Sequence, residues 1–197
     1  MKRREALRKT AMITGSSALT PTLLSLLQSC QQQERLDWQP KFLSDLQAKL
    51  IYTLVDTLLP KTETPGALEV KVDMFIDAVF SDLYDEKGQA SVIAGINDLD
   101  KRSQESYGDA FAELGEKDRT DLLGKLESES GKYNGSVWGT SVGKQEPVGF
   151  YRSVKSLALW GYFSSEEIGK NVLSYDPIPG SYLGCIPLSE VGNSWSL

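Results

Sequence analysis

The chain has two thiols, Cys30 and Cys185, and the first sits in a setting that calls for chemistry. Leu27-Gln28-Ser29-Cys30 looks like a bacterial lipobox, although Gln28 is a less usual occupant. In such a site small residues ahead of the cysteine admit a signal peptidase, and the thiol takes a diacylglyceryl group. Each buried methylene contributes about 0.8 kcal/mol, so two acyl chains give stable anchoring. Upstream, Lys2, Arg3, Arg4, Arg8 and Lys9 precede a weakly apolar run from Thr10 to Leu27. Thr14, Gly15, Ser16, Ser17, Thr20 and Pro21 make that run too polar and too broken for a stable spanning helix. Low hydrophobicity behind the Arg3-Arg4 pair is what the twin-arginine export route accepts, and that route moves proteins already folded. The expected organisation is a lipoprotein leader over 1–29, a lipid-anchored spacer over 30–39 and one domain over 40–197, held on the periplasmic face of a bacterial membrane.

Elsewhere the side chains offer little for catalysis. Histidine is absent, which removes imidazole metal sites, Ser-His-Asp and Cys-His nucleophiles, and the commonest general base near neutral pH. With Cys30 lipidated, Cys185 has no partner within the chain, so neither an internal disulfide nor a thiolate cluster can form. No glycine-rich phosphate loop occurs, and a working carboxylate pair is not recognisable without a pocket to perturb it. The expectation is therefore no catalytic residue, no metal ligand and no cofactor bound by this chain.

Charge narrows the partners. Taking the five basic residues and Glu5 of the leader from the 21 basic and 27 acidic residues of the whole leaves 16 and 26, so the net formal charge moves from -6 to -10. Nucleic acid needs clustered Lys and Arg, and an acidic body is repelled by anionic headgroups. The lipid on Cys30 is then the expected membrane contact.

The elements that would position any site read as helices. Pro40 suits a first helical turn, and Leu43, Leu46, Leu50, Leu54 and Leu58 recur at spacings of three and four, with Pro60 as the stop. A second stripe, Val72, Phe75, Ile76, Val79, Phe80 and Leu83, marks a helix over 71–84. Further helices are expected over 89–107, 116–130 and 148–160, and a short sixth opened by a Ser164/Glu167 capping box. No segment alternates in a way that demands a sheet. The fold class expected is all-α, a single bundle of five or six helices with an extended Pro/Gly-rich C-terminal arm.

Two connections and the tail stand apart from the bundle. Leu59 to Ala67, with two prolines and a glycine, reads as a rigid turn. Lys132 to Pro147, with Trp138, reads as a flap or as an arm that orders against another protein. From Leu173 onward, Pro177, Pro179 and Pro187 oppose helix, yet Tyr175, Ile178, Tyr182, Ile186 and Trp195 favour burial. A proline-stiffened arm loses less entropy on docking, so it either straps its own bundle or wraps a partner. Trp160, Tyr162 and Phe163 are either core or a hot spot for a partner. Cys185 either pairs with a partner's cysteine or packs as a small buried residue.

Leu59-Pro60 with Thr64-Pro65-Gly66-Ala67, Phe75-Ile76-Asp77, the run Leu157 to Gly169 containing GYFSSEEIG, and Tyr175-Asp176-Pro177-Ile178-Pro179-Gly180 leading to Gly184-Cys185-Ile186-Pro187 resemble the gluconate 2-dehydrogenase subunit 3 family. The resemblance runs from about residue 40 to the end. It implies the small, non-catalytic subunit of a periplasmic sugar or polyol dehydrogenase. The catalysis then lies in a large flavoprotein of the glucose-methanol-choline type that carries FAD, and electrons commonly pass to a cytochrome c with its haem. Such small subunits often supply the export signal for the flavoprotein. The lipidated Cys30 departs from the many members with only a cleavable leader, and points to a membrane-held complex.

Under this resemblance the partner-binding residues are Trp160, Tyr162, Phe163, Tyr175, Pro177, Pro179, Tyr182, Cys185 and Trp195, with Arg3 and Arg4 serving export. A rival is a stand-alone lipoprotein that binds a sugar or glycan, with Tyr133, Trp138 and Trp195 as stacking platforms.

Overall fold

The computed structural model describes residues 38–131, 136–137, 140–141, 148–178, 180 and 184–196. Arg3, Arg4, Cys30, Tyr133, Trp138, Pro179 and Tyr182 lie outside the described residues, as do most of 132–147. The architecture is all-α. In chain order the helices are α1 (Asp45–Leu58), α2 (Val72–Asp82), α3 (Glu86–Tyr107), α4 (Glu116–Glu129), α5 (Phe150–Phe163), α6 (Glu166–Asn171) and α7 (Leu188–Val191). A 3₁₀ turn, Phe111–Glu113, joins α3 to α4, and a small antiparallel pair, Ser136–Val137 with Thr140–Ser141, lies between α4 and α5. None of the described helices is long and apolar enough to cross a membrane.

Local chemistry sets the ends. Ser44 and Gln47 form a reciprocal capping box at α1: each side chain bonds the other's backbone N–H. The first helix therefore opens at Asp45 and not at Pro40, because Lys41 to Leu43 give their amides to Asp77 instead of to a helical turn. Asp85 caps α3 by accepting from the Gly88 amide at 2.8 Å, so that helix begins three residues before the expected Gln89. It ends at Gly108 in the left-handed conformation. The expected Ser164/Glu167 box does not form. Ser164 directs its hydroxyl back to the Trp160 carbonyl (2.6 Å), and Ser165 is the N-cap of α6.

The core is the shared interior of α1, α2, α3 and α5, with Phe111 plugging the end under the 3₁₀ turn. Leu50, Ile51, Leu54 and Val55 of α1, Val72, Ile76 and Phe80 of α2, Ile96 and Leu99 of α3, and Val154 and Ala158 of α5 are all buried in it, with α1 packed on α2 and α5, and α3 packed on α2 and α5. Each fully buried aliphatic or aromatic side chain contributes about 1.5–3 kcal/mol. Leu46 was expected in this stripe, but it is 81 % exposed. It stands in the first turn of α1, before the helix passes under its neighbours. Leu83 is also outside, 70 % exposed at the C-cap of α2.

Polar braces hold the outer helix. On α4, Glu127 accepts from Arg152 of α5 at 2.7 Å and from Lys155 at 3.2 Å. Partial burial opposes ionisation of Glu127, but Lys155 and then Arg152 outweigh it, and the carboxyl lies below its ordinary value of 4.5. The folded state thus releases this proton more readily than the unfolded chain. The brace stabilises fully above the unfolded value and is lost as pH falls through the folded one. Glu127→Gln should lower stability at pH 7 by at most about 1 kcal/mol, as half-exposed ion pairs do. The gap to wild type should close between about pH 5 and pH 3. Denaturant melts across that range check it; a gap that stays constant with pH would contradict the brace.

Candidate partner-docking surface

The surface with most to offer another molecule is the C-terminal turn of α5. Leu159, Trp160 and Phe163 are 38 %, 57 % and 51 % exposed. Large apolar side chains left together on a monomer surface mark interaction sites, and Trp is the residue most often found at their energetic centre. Trp160 is also held in place. Its ring stands edge to face with Phe75 of α2, centroids 5.2 Å apart at 80°. Such a pair is worth about 0.5–1.5 kcal/mol beyond burial.

Gly161 makes that brace possible. A Cβ on Gly161 would lie 2.6 Å from Cδ1 of Phe75, so only the bare backbone admits the ring at this height. The Leu-Trp-Gly-Tyr-Phe order then separates two directions. Trp160 and Phe163 point out, whereas Tyr162 points in, 8 % exposed, and donates its hydroxyl to the Pro65 carbonyl at 2.8 Å. Its ring meets Phe163 edge-on at 5.3 Å. Ser165 donates to the Tyr162 carbonyl at 2.7 Å, so with Ser164 it satisfies the free carbonyls where α5 ends.

The turn that receives Tyr162 is as rigid as its prolines suggest. The Ala67 amide bonds the Leu59 carbonyl at 2.9 Å and Ala67 is fully buried. The Gly66 amide reaches Glu69, which also pairs with Lys61. A Cβ on Gly66 would sit 2.7 Å from the Lys61 nitrogen. The bond to Lys61, then that to Gly66, holds the Glu69 carboxyl below its ordinary range. Lys71, the N-cap of α2, is in the left-handed region at φ 59°. It lines an open cleft of about 410 Å³ with Pro65, Glu69, Val70, Ser165, Glu166 and Glu167.

The tail takes the first of its two alternatives with its backbone and leaves its apolar side chains uncovered. Its backbone is fastened to its own chain: Ser174 and Trp195 form a parallel bridge, the Ser174 amide bonds the Ser194 carbonyl, and Ser196 donates to the Gly169 carbonyl at 2.7 Å. Asn193 closes on the Val172 carbonyl at 2.8 Å. Its apolar side chains nevertheless face outward, with Tyr175 39 %, Ile178 85 %, Leu188 88 % and Trp195 55 % exposed. Pro177 is exposed as well, and so is Cys185, so the buried alternative for that thiol is not the one adopted. The four-residue α7 interrupts an arm expected to be extended.

Sequence reasoning named Trp160 and Phe163 but missed Leu159 and the bracing Phe75. The signal for the second was the glycine directly after a tryptophan inside a helix, which is the bare backbone that the Phe75 ring needs. Among the described residues there is no group of three or more metal-ligating side chains.

Gly161→Ala should destabilise the fold by about 1–3 kcal/mol through overpacking against Phe75. It should also change the indole fluorescence of the Trp160 site. Tyr162→Phe should lose about 1 kcal/mol, the net worth of one hydrogen bond, and leave that fluorescence as in wild type. Equal spectra for Gly161→Ala and wild type would refute the brace.

Against known proteins, no curated protein and no solved structure matches significantly. A family model described as gluconate 2-dehydrogenase subunit 3 does match, over residues 45–180. That span takes in α1 to α6, including the Pro65 turn, Phe75 and the whole of α5. The chain therefore belongs to the gluconate 2-dehydrogenase subunit 3 family.

Proposed function

We propose that this chain is the non-catalytic small subunit of a FAD-dependent sugar, polyol or glycoside dehydrogenase. In this reading it escorts and stabilises a large flavoprotein of the glucose-methanol-choline type. Family membership supports the assignment to a dehydrogenase complex. The observation that supports the escort role is the outward set Leu159, Trp160 and Phe163, in which Trp160 is held by Phe75 and Phe163 by Tyr162 before any partner arrives. A side chain ordered in advance forfeits little entropy on association. The exposed tail residues Tyr175, Ile178, Leu188 and Trp195 extend the apolar area available, and Cys185 is accessible to a partner's cysteine.

FAD belongs to the large subunit in this proposal, with haem c in a cytochrome that accepts the electrons. Arg3 and Arg4 direct the pair through the twin-arginine route as a folded unit, and Cys30 holds it by lipid on the periplasmic face of the membrane. A leader for folded cargo suits a chain whose passenger binds its flavin before export.

Three measurements test this. Co-expression of the flavoprotein with and without this chain should show dye-linked sugar oxidation in the envelope only when both are made; equal exported activity without it would defeat the proposal. Arg3→Lys with Arg4→Lys should leave both proteins in the cytoplasm. Trp160→Ala and Phe163→Ala should each weaken the complex by about 2 kcal/mol or more, roughly 30-fold in Kd. Both side chains are more than half exposed, but each variant loses one edge-to-face pair, so the thermal midpoint of the isolated chain should fall by about 1–6 °C while the chain stays folded. Unchanged Kd in both variants would place the interface elsewhere. Measurable affinity of the isolated chain for free sugars, with none for the flavoprotein, would instead favour the glycan-binding module.

A further inference from the structure

Asp77 is an acid buried to 1 % exposure in the middle of α2, and it is used by a stretch of chain 34 to 36 residues away. Its Oδ2 accepts from the Lys41 amide at 2.6 Å, and its Oδ1 accepts from the Phe42 and Leu43 amides at 3.2 and 2.9 Å. One turn earlier, Asp73, 5 % exposed, takes the Trp38 indole N–H at 2.9 Å. Phe42 packs edge-on against Phe80, and Lys41 pairs with Asp82 at 3.3 Å. None of this is needed to start α1, which Ser44 and Gln47 already cap. The two carboxylates act on what lies before the cap.

Amide hydrogen bonds to an ionised carboxylate are about twice as strong as neutral ones, and a buried carboxylate stripped of them is left with an uncompensated charge. Both carboxylates lie on α2, so the contacts exist only after α2 has folded beside α1. We infer that Asp73 and Asp77 form a clasp that closes over residues 38–43 when the body folds, and that this closure couples folding to presentation of the N-terminal leader. Closed, it leaves at most about 28 Å of chain between Cys30 and Trp38; open, six more residues would add about 20 Å and uncover Phe42 and Leu43. The coupling rests on reading residues 1–29 as a leader for folded cargo. The clasp itself does not.

The test uses the full-length chain. Asp77→Asn keeps the shape but turns one acceptor into a donor facing an amide. Hydrogen–deuterium exchange at residues 41–43 should rise at least tenfold while peptides from 45–58 stay as in wild type. Trp38→Phe, which removes a donor at the edge, should raise exchange at the same place by a smaller factor. Should Asp77→Asn also loosen 45–58, Trp38→Phe decides. Protection of 41–43 equal to wild type in a folded variant overturns the clasp.

Export is then scored as envelope-borne chain processed at Cys30, with Leu123→Ala in α4 as the control, compared at the temperature where the two variants are measured to be equally folded. Asp77→Asn should export several-fold less than that control. If Arg3→Lys with Arg4→Lys blocks export and Asp77→Asn matches Leu123→Ala, the coupling is overturned. If the arginine variant exports normally, the leader reading falls and the coupling with it, while the exchange result still decides the clasp.

Discussion

A single close approach, the ring of Phe75 over the bare backbone of Gly161, fixes the geometry on which the rest of the molecule relies. It brings α2 and α5 together more extensively than any other pair of helices. From that contact the two directions of the α5 terminus follow. Trp160 is braced outward by the same ring, and Tyr162 is driven inward to the Pro65 carbonyl. The turn over 59–67 is thereby locked to a helix nearly a hundred residues later in the chain. Interior packing is close to crystalline in density, so a contact of this kind passes position on without slack. The exposed apolar end of α5, which we propose as the docking surface, is consequently a by-product of the core.

Much of this was legible in the residues. The helical period of α1 to α5 gave their existence, since side chains at spacings of three and four can meet a core on one side only. The rigid turn was readable from Pro60, Pro65 and Gly66, whose backbone limits are local. What could not be read was long-range. Asp77 takes three amides from residues 41–43, and no local rule announces that a carboxylate on one helix will pre-empt the first turn of another. The same competition explains why Pro40 is not in a helix. Leu46 is a case of periodicity misleading: it obeys the spacing, but the first turn of α1 extends past the surface it would cover. The Ser164/Glu167 pattern failed because Ser164 found a nearer acceptor in the Trp160 carbonyl.

The candidate site was half visible for a related reason. Aromatic residues declare themselves in sequence, but which of three neighbours points out depends on a 100° step per residue and on what the opposite helix offers. Tyr162 lies one such step from Phe163 and two from Trp160, which puts it on the inward side. In the tail, composition showed apolar side chains and proline stiffness. It could not show that serine and asparagine hydrogen bonds would pin the backbone while leaving those side chains outward.

The left-handed backbone of Lys71 has an evolutionary corollary. For an ordinary side chain this conformation is unfavourable by about 1–2 kcal/mol, and β-branched residues are worst suited to it. The residues best suited to position 71 are then few: the resident lysine, asparagine, aspartate, glycine. Those substitutes span positive, neutral and negative on one unchanged trace. Among the described residues, Lys71 is the one basic residue facing Glu69, Glu166 and Glu167 in the cleft, so each of these replacements would deepen an existing negative charge, with the contour of the groove conserved.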